Sequence, residues 1–239
     1  MKLVAAAALS EERLVNPNHV YACPGHISVG QSTFHCQVAH GRVNLVHALA
    51  KSCNSFFVDA AKHLPAELFL TYGRKFGLNT VVAGHATGSY PEKASTESYM
   101  YVLGLAPDLS PNALQILQMS ALIACRGTIP NLHSAEAPEP DKQAFSLALN
   151  NQTWSRLQEG MELACREGTA VGLDPNNQMR IAAKSGTAPN GKKFQSWVTG
   201  YFPNDAPRYA FCLYSPSGTS QDSAVPKAHE FLFATTWPI

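Results

Sequence analysis

The 239-residue chain carries 18 basic and 17 acidic side chains, a formal charge of +1, with 45% hydrophobic and 15% charged residues. A near-neutral chain lacks the clustered basic face that releases counterions from nucleic acid, which excludes nucleic acid as a partner. The apolar content suffices for a core and excludes disorder and coiled coil, and no apolar run approaches the ~20 residues of a membrane-spanning helix, so the chain reads as soluble. At roughly 100–200 residues per domain it makes one large domain or two small ones.

Residues 1–9 read MKLVAAAAL. One cation, a short apolar run and small residues suit a signal peptide. However, the run from Leu3 to Leu9 is at the lower limit for such a segment, Glu11 and Glu12 follow at once, and no clean small-x-small site intervenes. The alternative is the tail of a core helix. Residues 14–42, rich in Gly, Pro, Asn and His, lack periodicity and read as a structured excursion. From Asn44, Leu45, Val46, Leu49, Phe56, Phe57, Ala60, Ala61 and Leu64 recur at helical spacing around a polar middle. The spacing predicts two helices joined by a tight turn, with Asn54 or Ser52 capping the second.

A helix over 65–76 closed by Gly77, a loop over 79–98, and a helix over 110–125 follow. Ser110 is the expected cap of that last helix, Pro111 its first residue and Gly127 its end. Next come a polar loop over 133–143 and a helix over 153–166 ending at Gly168. The last third changes period: strands over 179–188, 196–202 and 209–214, with turns at Pro189-Asn190-Gly191 and 204–207, precede a helix over 227–235. Helices followed by an antiparallel meander give a mixed α/β, α+β-like class, helical over about 1–170 and sheet-forming over about 171–239.

Of the six cysteines, Cys125, Cys165 and Cys212 sit in apolar contexts and read as buried small hydrophobes. Cys23, Cys36 and Cys53 share their segment with His26, His35, His40 and His47. Two tetrahedral zinc sets are available: Cys23, His26, Cys36 and His40, or Cys23, Cys36, His40 and Cys53. A Cys23–Cys36 disulfide and free thiols are the alternatives.

Two short motifs carry chemistry. Lys184-Ser185-Gly186-Thr187-Ala188 stands on the first strand of the meander and offers a cation, hydroxyl donors and an unobstructed backbone, a set able to hold a carboxylate and to present an N–H to an oxyanion. The plain reading is a surface lysine before a turn. Ser52-Cys53-Asn54 places a hydroxyl and an amide two residues apart, for which the plain reading is a helix cap. Together, Ser-x-Asn followed about 130 residues later by Lys-Ser-Gly-Thr resembles the second and third motifs of the penicillin-binding protein and serine β-lactamase superfamily. The runs NPNHVYACPGHISVG, STFHC, NLVHALAKSCNSFF and KSGTA…SWVTGYFP extend the likeness over essentially the whole chain. The chain thus resembles the transpeptidase domain of class B penicillin-binding proteins.

The family's first motif, Ser-x-x-Lys, holds the nucleophile, and none of the ten lysines here has a serine three residues before it. Ser32-Thr33-Phe34-His35 ends in histidine and is a decoy. Lys2, followed by LVAAAALSEERL, matches the motif lysine, which puts the serine two residues upstream of Met1. The resemblance therefore implies a domain whose front is missing and which cannot form an acyl-enzyme as given.

With the serine present, Lys2 would activate it, Ser52 would relay a proton to the leaving amine and Asn54 would hold the substrate amide. Lys184 would poise Ser52. Ser185 and Thr187 would bind the terminal carboxylate of a peptidoglycan stem peptide, with Gly186 and Ala188 completing that strand. β-Lactams would acylate the same serine. No cofactor is needed for catalysis. Glu159, Glu162 and Glu167 lie on an ordinary helix and make no convincing deacylating motif, which weighs against a β-lactamase relative.

The resemblance also implies a structural zinc on Cys23, Cys36, His40 and Cys53, an extracytoplasmic location and a parent anchored upstream. Family members have two further strands before Ser-x-x-Lys. Their absence would expose the strand around Phe211, giving a homodimer or marginal stability.

Overall fold

The computed structural model describes residues 1–16, 18–135 and 144–238. The loop expected over 133–143 falls largely outside the described residues. Helix α1 (Lys2–Glu11) is the centre of the larger core, with Leu3 through Ser10 buried on every side. A helix without a polar face is a core helix, and α1 packs against five further helices of that core, α2 (Leu45–Ala50), α3 (Asn54–Ala60), α4 (Ala66–Lys75), α5 (Ser98–Leu103) and α7 (Asn151–Glu167). Its end is pinned by charge. The Glu11 carboxylate accepts from the Asn150 N–H and the Thr153 hydroxyl at the start of α7, and Glu12 accepts from Tyr72 on α4.

The excursion over 14–42 consists of two ribbons. β1 (Tyr21–Cys23) pairs with β4 (Gly41–Val43), and β2 (His26–Val29) with β3 (Ser32–His35), turning at Gly30 with φ +58°. Then come α2 and α3 (Asn54–Ala60), the expected pair of helices. The cap differs from expectation. Ser52 adopts the left-handed region at φ +52° and ends the first helix, and the Cys53 sulfur accepts the Phe56 N–H. Asn54 is already helical, so its side chain is free to face outward.

Helix α6 (Ala113–Ala124) also starts later than Ser110 and Pro111 suggest. Asn112 and Gln115 form a reciprocal capping box that fixes the start, and Pro111 lies outside it. Helix α5 begins where the expected loop over 79–98 ends, on residues for which no element was expected. Cys125 is exposed rather than buried, because it follows the last turn of α6 at the surface; Cys165 is buried and Cys212 half-buried.

β5 (Thr128–Pro130) and β6 (Ala144–Ser146) form a third small ribbon. The main sheet is β7 (Ala182–Asn190), β8 (Lys193–Phe202) and β9 (Tyr209–Ser215), antiparallel in that order, with Gly186 opposite Trp197 and Thr199 opposite Cys212. β7 begins at Ala182 rather than at residue 179 because the buried Asp174 carboxylate takes the N–H groups of Gln178, Met179 and Ile181. Pro189 and Asn190 remain in the strand, and the turn is Gly191-Lys192. Helix α6 covers β8 and β9, while α8 (Val225–Ala234) joins the second core against Ala183, Val198 and Phe202.

Candidate active site

The two motifs face each other across a cleft of about 510 Å³ between β7 and the α2–α3 junction. Lys2, at the start of α1, reaches into it: Nζ donates to Asn54 Oδ1 at 2.7 Å and to Ser52 Oγ at 3.3 Å. Asn54 completes the bracket by donating Nδ2 to the His35 carbonyl at 2.7 Å. The left-handed Ser52 and the first-turn position of Asn54 bring both side chains to one amine, an arrangement that a conventional cap at either residue would prevent.

On the opposite wall Lys184 is buried and donates to the Ser185 carbonyl at 2.8 Å. Ser185 donates to Thr169 at 2.6 Å. The Thr187 hydroxyl donates to Ser220 Oγ at 3.2 Å and accepts the Ser220 N–H at 2.9 Å. Ser52 thus takes its bond from Lys2, while Lys184 lies on its own strand. Gly186 lines the cleft beside Ser185 and Thr187, and Ala188 lies just beyond, over an apolar recess shared with Trp197 and Met119.

Burial shifts both amines toward the neutral form. Burial pushes the Lys2 amine down to about 8, against the opposing pull of the Cys36 and Cys53 sulfurs. Burial holds Lys184 well below the usual lysine range, and the Lys2 charge adds to that. An amine titrating near 8 and hydrogen-bonded to a hydroxyl is a competent proton acceptor near neutral pH.

Beside this bracket, Cys23, Cys36, His40 and Cys53 converge, with ligand atoms all within 4.8 Å of one another. The Cys23–Cys36 and Cys36–Cys53 sulfurs are 3.8 and 3.9 Å apart, and Cys23 Sγ is 3.6 Å from His40 Nδ1. Tetrahedral zinc with Zn–S near 2.3 Å requires sulfur–sulfur edges of about 3.8 Å, so the donor set fits. The same separation is far beyond a disulfide bond of ~2.05 Å. Hydrogen bonding from Cys53 holds the Cys36 thiol down at about 4, and that donation, with burial, pushes Cys53 up. His26 pairs across its ribbon with His35 and stands apart from the cluster.

Sequence reasoning missed Thr169 and Ser220, the hydroxyls that orient Ser185 and Thr187. Neither carries a local signal, since each is brought to β7 only by tertiary packing. Glu162 pairs with Arg166 on α7; neither it nor Glu159 or Glu167 lines the cleft.

A family model described as the penicillin-binding protein transpeptidase domain matches residues 1–233. The chain belongs to that family. This transpeptidase-family chain is 27% identical to penicillin-binding protein PbpB of Mycolicibacterium smegmatis and 26% identical to PbpB of Mycobacterium tuberculosis, over 96% and 95% of its length. It spans about two-fifths of those curated relatives (41% and 39%).

Among solved structures, Pseudomonas aeruginosa PBP2 in complex with WCK 5153 superposes with a TM-score of 0.81 at 23% identity, covering 98% of this chain and 57% of that one. The D,D-transpeptidase domain of a peptidoglycan glycosyltransferase from Eggerthella lenta gives 0.80 at 18%, covering 98% and 63%. At these identities the likeness establishes the fold, which agrees with the class B resemblance. Among the described residues no helix is long and apolar enough to cross a membrane.

Proposed function

We propose that this chain is the larger part of a peptidoglycan D,D-transpeptidase domain that cross-links stem peptides. The observation that carries the reading is the Lys2 amine, lowered to about 8 and shared between Ser52 and Asn54 opposite Lys184.

The chemistry is acyl transfer by a serine three residues before Lys2. Its hydroxyl proton passes to the neutral Lys2 amine as Oγ attacks the penultimate carbonyl of a D-Ala-D-Ala peptide. The C–N bond breaks, D-alanine leaves as the amine after receiving a proton through Ser52, and an acyl-serine ester remains. An amine from a neighbouring peptide then attacks the ester and restores the serine. Asn54 holds the peptide amide, Lys184 adds positive potential, and Ser185 and Thr187 take the terminal carboxylate in place of Thr169 and Ser220. The Thr187 N–H serves the oxyanion. β-Lactams bind as mimics of the same peptide.

A second reading is a non-catalytic homologue that binds peptidoglycan or a protein through the same cleft. Labelled penicillin separates the two. Residues 1–239 are expected to remain unlabelled, and a form extended upstream with an in-frame serine three residues before Lys2 is expected to label. Stable labelling of residues 1–239 overturns the assignment of the nucleophile, and an unlabelled extended form favours the second reading.

We further infer that Cys23, Cys36, His40 and Cys53 hold a structural zinc, which would clamp the ribbons to the Ser52–Asn54 turn and supply no chemistry to the acyl transfer. The domain works outside the cytoplasm, in a parent anchored to the membrane. β9 pairs only with β8 among the described strands, and this free edge supports a homodimer formed strand to strand.

A further inference from the structure

Gln37 and Gln221, 184 residues apart, hold each other through two reciprocal hydrogen bonds. Gln37 Nε2 donates to Gln221 Oε1 at 2.6 Å, and Gln221 Nε2 donates to Gln37 Oε1 at 2.9 Å. Each residue adjoins a different wall of the cleft. Gln37 follows Cys36, whose sulfur accepts the Ser55 N–H at 3.5 Å. Gln221 follows Ser220, whose N–H is bonded to Thr187 on β7. Cys36, Gln37, Thr219 and Ser220 all line the cleft and Gln221 adjoins it through Ser220, so the amide pair ties the two walls together near the point where Thr187 meets Ser220.

We propose that the Gln37–Gln221 pair is a clasp that closes one end of the cleft and selects a peptide by its terminus, admitting a free C-terminal residue and rejecting a chain that runs on. This rests on reading the cleft as a peptide site. Three features argue for it. The hydroxyls of Thr187, Thr219 and Ser220 line the cleft beside the clasp, which suits a terminal carboxylate. Both glutamines follow residues already bonded into the cleft walls, Cys36 and Ser220, so closing the clasp orders the side chains without reordering those walls. Both partners are neutral amides, so the clasp holds across pH and salt, unlike an ion pair. Selection then comes from a barrier to the wrong ligand rather than from extra affinity for the right one.

The test uses the wild-type chain, Gln37→Ala, Gln221→Ala and the double variant; both residues are exposed, and folding is checked by thermal melts. The first readout needs no ligand. Amide hydrogen exchange over 216–222 is expected to quicken roughly fivefold in either single variant and no further in the double, since one interaction is lost in all three. The second readout is calorimetric titration with an acyl-D-Ala-D-Ala peptide and with the same peptide extended by two glycines. Wild type is expected to favour the free terminus by roughly tenfold or more, and the double variant to gain the extended peptide while keeping the first.

Unchanged exchange in both single variants overturns the clasp. Faster exchange with the extended peptide still rejected by the double variant overturns its role in selection. Faster exchange with neither peptide bound by wild type overturns the peptide-site reading and the selectivity with it.

Discussion

Lys2→Met is expected to stabilise the protein while removing the group proposed to activate the nucleophile. Lowering the amine from 10.5 to about 8 corresponds to about 3 kcal/mol of unfavourable charge burial, at about 1.36 kcal/mol per tenfold change in proton affinity. The amine borders the cleft and its water, which reduces the realised value to about 1–2 kcal/mol. Methionine fills the same length without charge. It forfeits the bonds to Asn54 and Ser52, but their oxygens line the open cleft and rehydrate. The net gain is about 1 kcal/mol at pH 7, or roughly 2–4 °C in Tm for a chain of this size.

The pH dependence identifies the cause. A lysine whose folded value lies below its unfolded one carries its full penalty below pH 8. The penalty is relieved between about pH 8 and 10.5, where the unfolded chain binds more protons than the folded one. The stability deficit of wild type relative to Lys2→Met should therefore shrink through that window, while the slope the two proteins share, upward from Lys184 and downward from the raised thiols of Cys53, Cys165 and Cys212, is the same in both. Urea unfolding of both proteins from pH 6 to 10 measures this. A Lys2→Met protein that is less stable at pH 7, or whose advantage over wild type does not shrink through that window, refutes the argument.

Two further outcomes test other parts of the molecule. Purified protein should hold about one zinc per chain, and a strong chelator should lower its Tm and open the ribbons over 21–43 to protease; protein free of metal with a mass two units below the reduced value would instead put a disulfide between Cys23 and Cys36. If β9 is a pairing edge, sedimentation velocity should show a dimer growing with concentration, whereas a monomer at every concentration removes that interface.

The long periodic elements were legible from spacing: α4, α6 and α7 fall within a few residues of their predicted places, as do all three strands of the main sheet. Those patterns record burial, and burial has a fixed period in helix and strand. What the sequence hid was decided by side chains competing for backbone groups. Asp174 delays β7 by holding three N–H groups, and the Asn112–Gln115 pair overrides Ser110 and Pro111. The Cys53 sulfur takes a capping role usually given to oxygen.

The candidate site shows the same division. Residues 184–188 and Ser52-Cys53-Asn54 were readable as motifs, and Cys23, Cys36, His40 and Cys53 as one of two candidate quartets. Thr169, Ser220, Gln37 and Gln221 come into place only through contacts across 16 to 184 residues.

The eight buried residues from Leu3 to Ser10 make α1 a rod fixed in the interior, and Lys2 is its tip. The amine therefore inherits its position from the alanine contacts behind it rather than from any loop around the cleft. A bulkier side chain at Ala5 or Ala8, well away from any ligand, would shift the whole rod and carry the amine off Ser52 and Asn54. Drug resistance or loss of function in such a protein can thus originate at interior alanines that never meet a substrate.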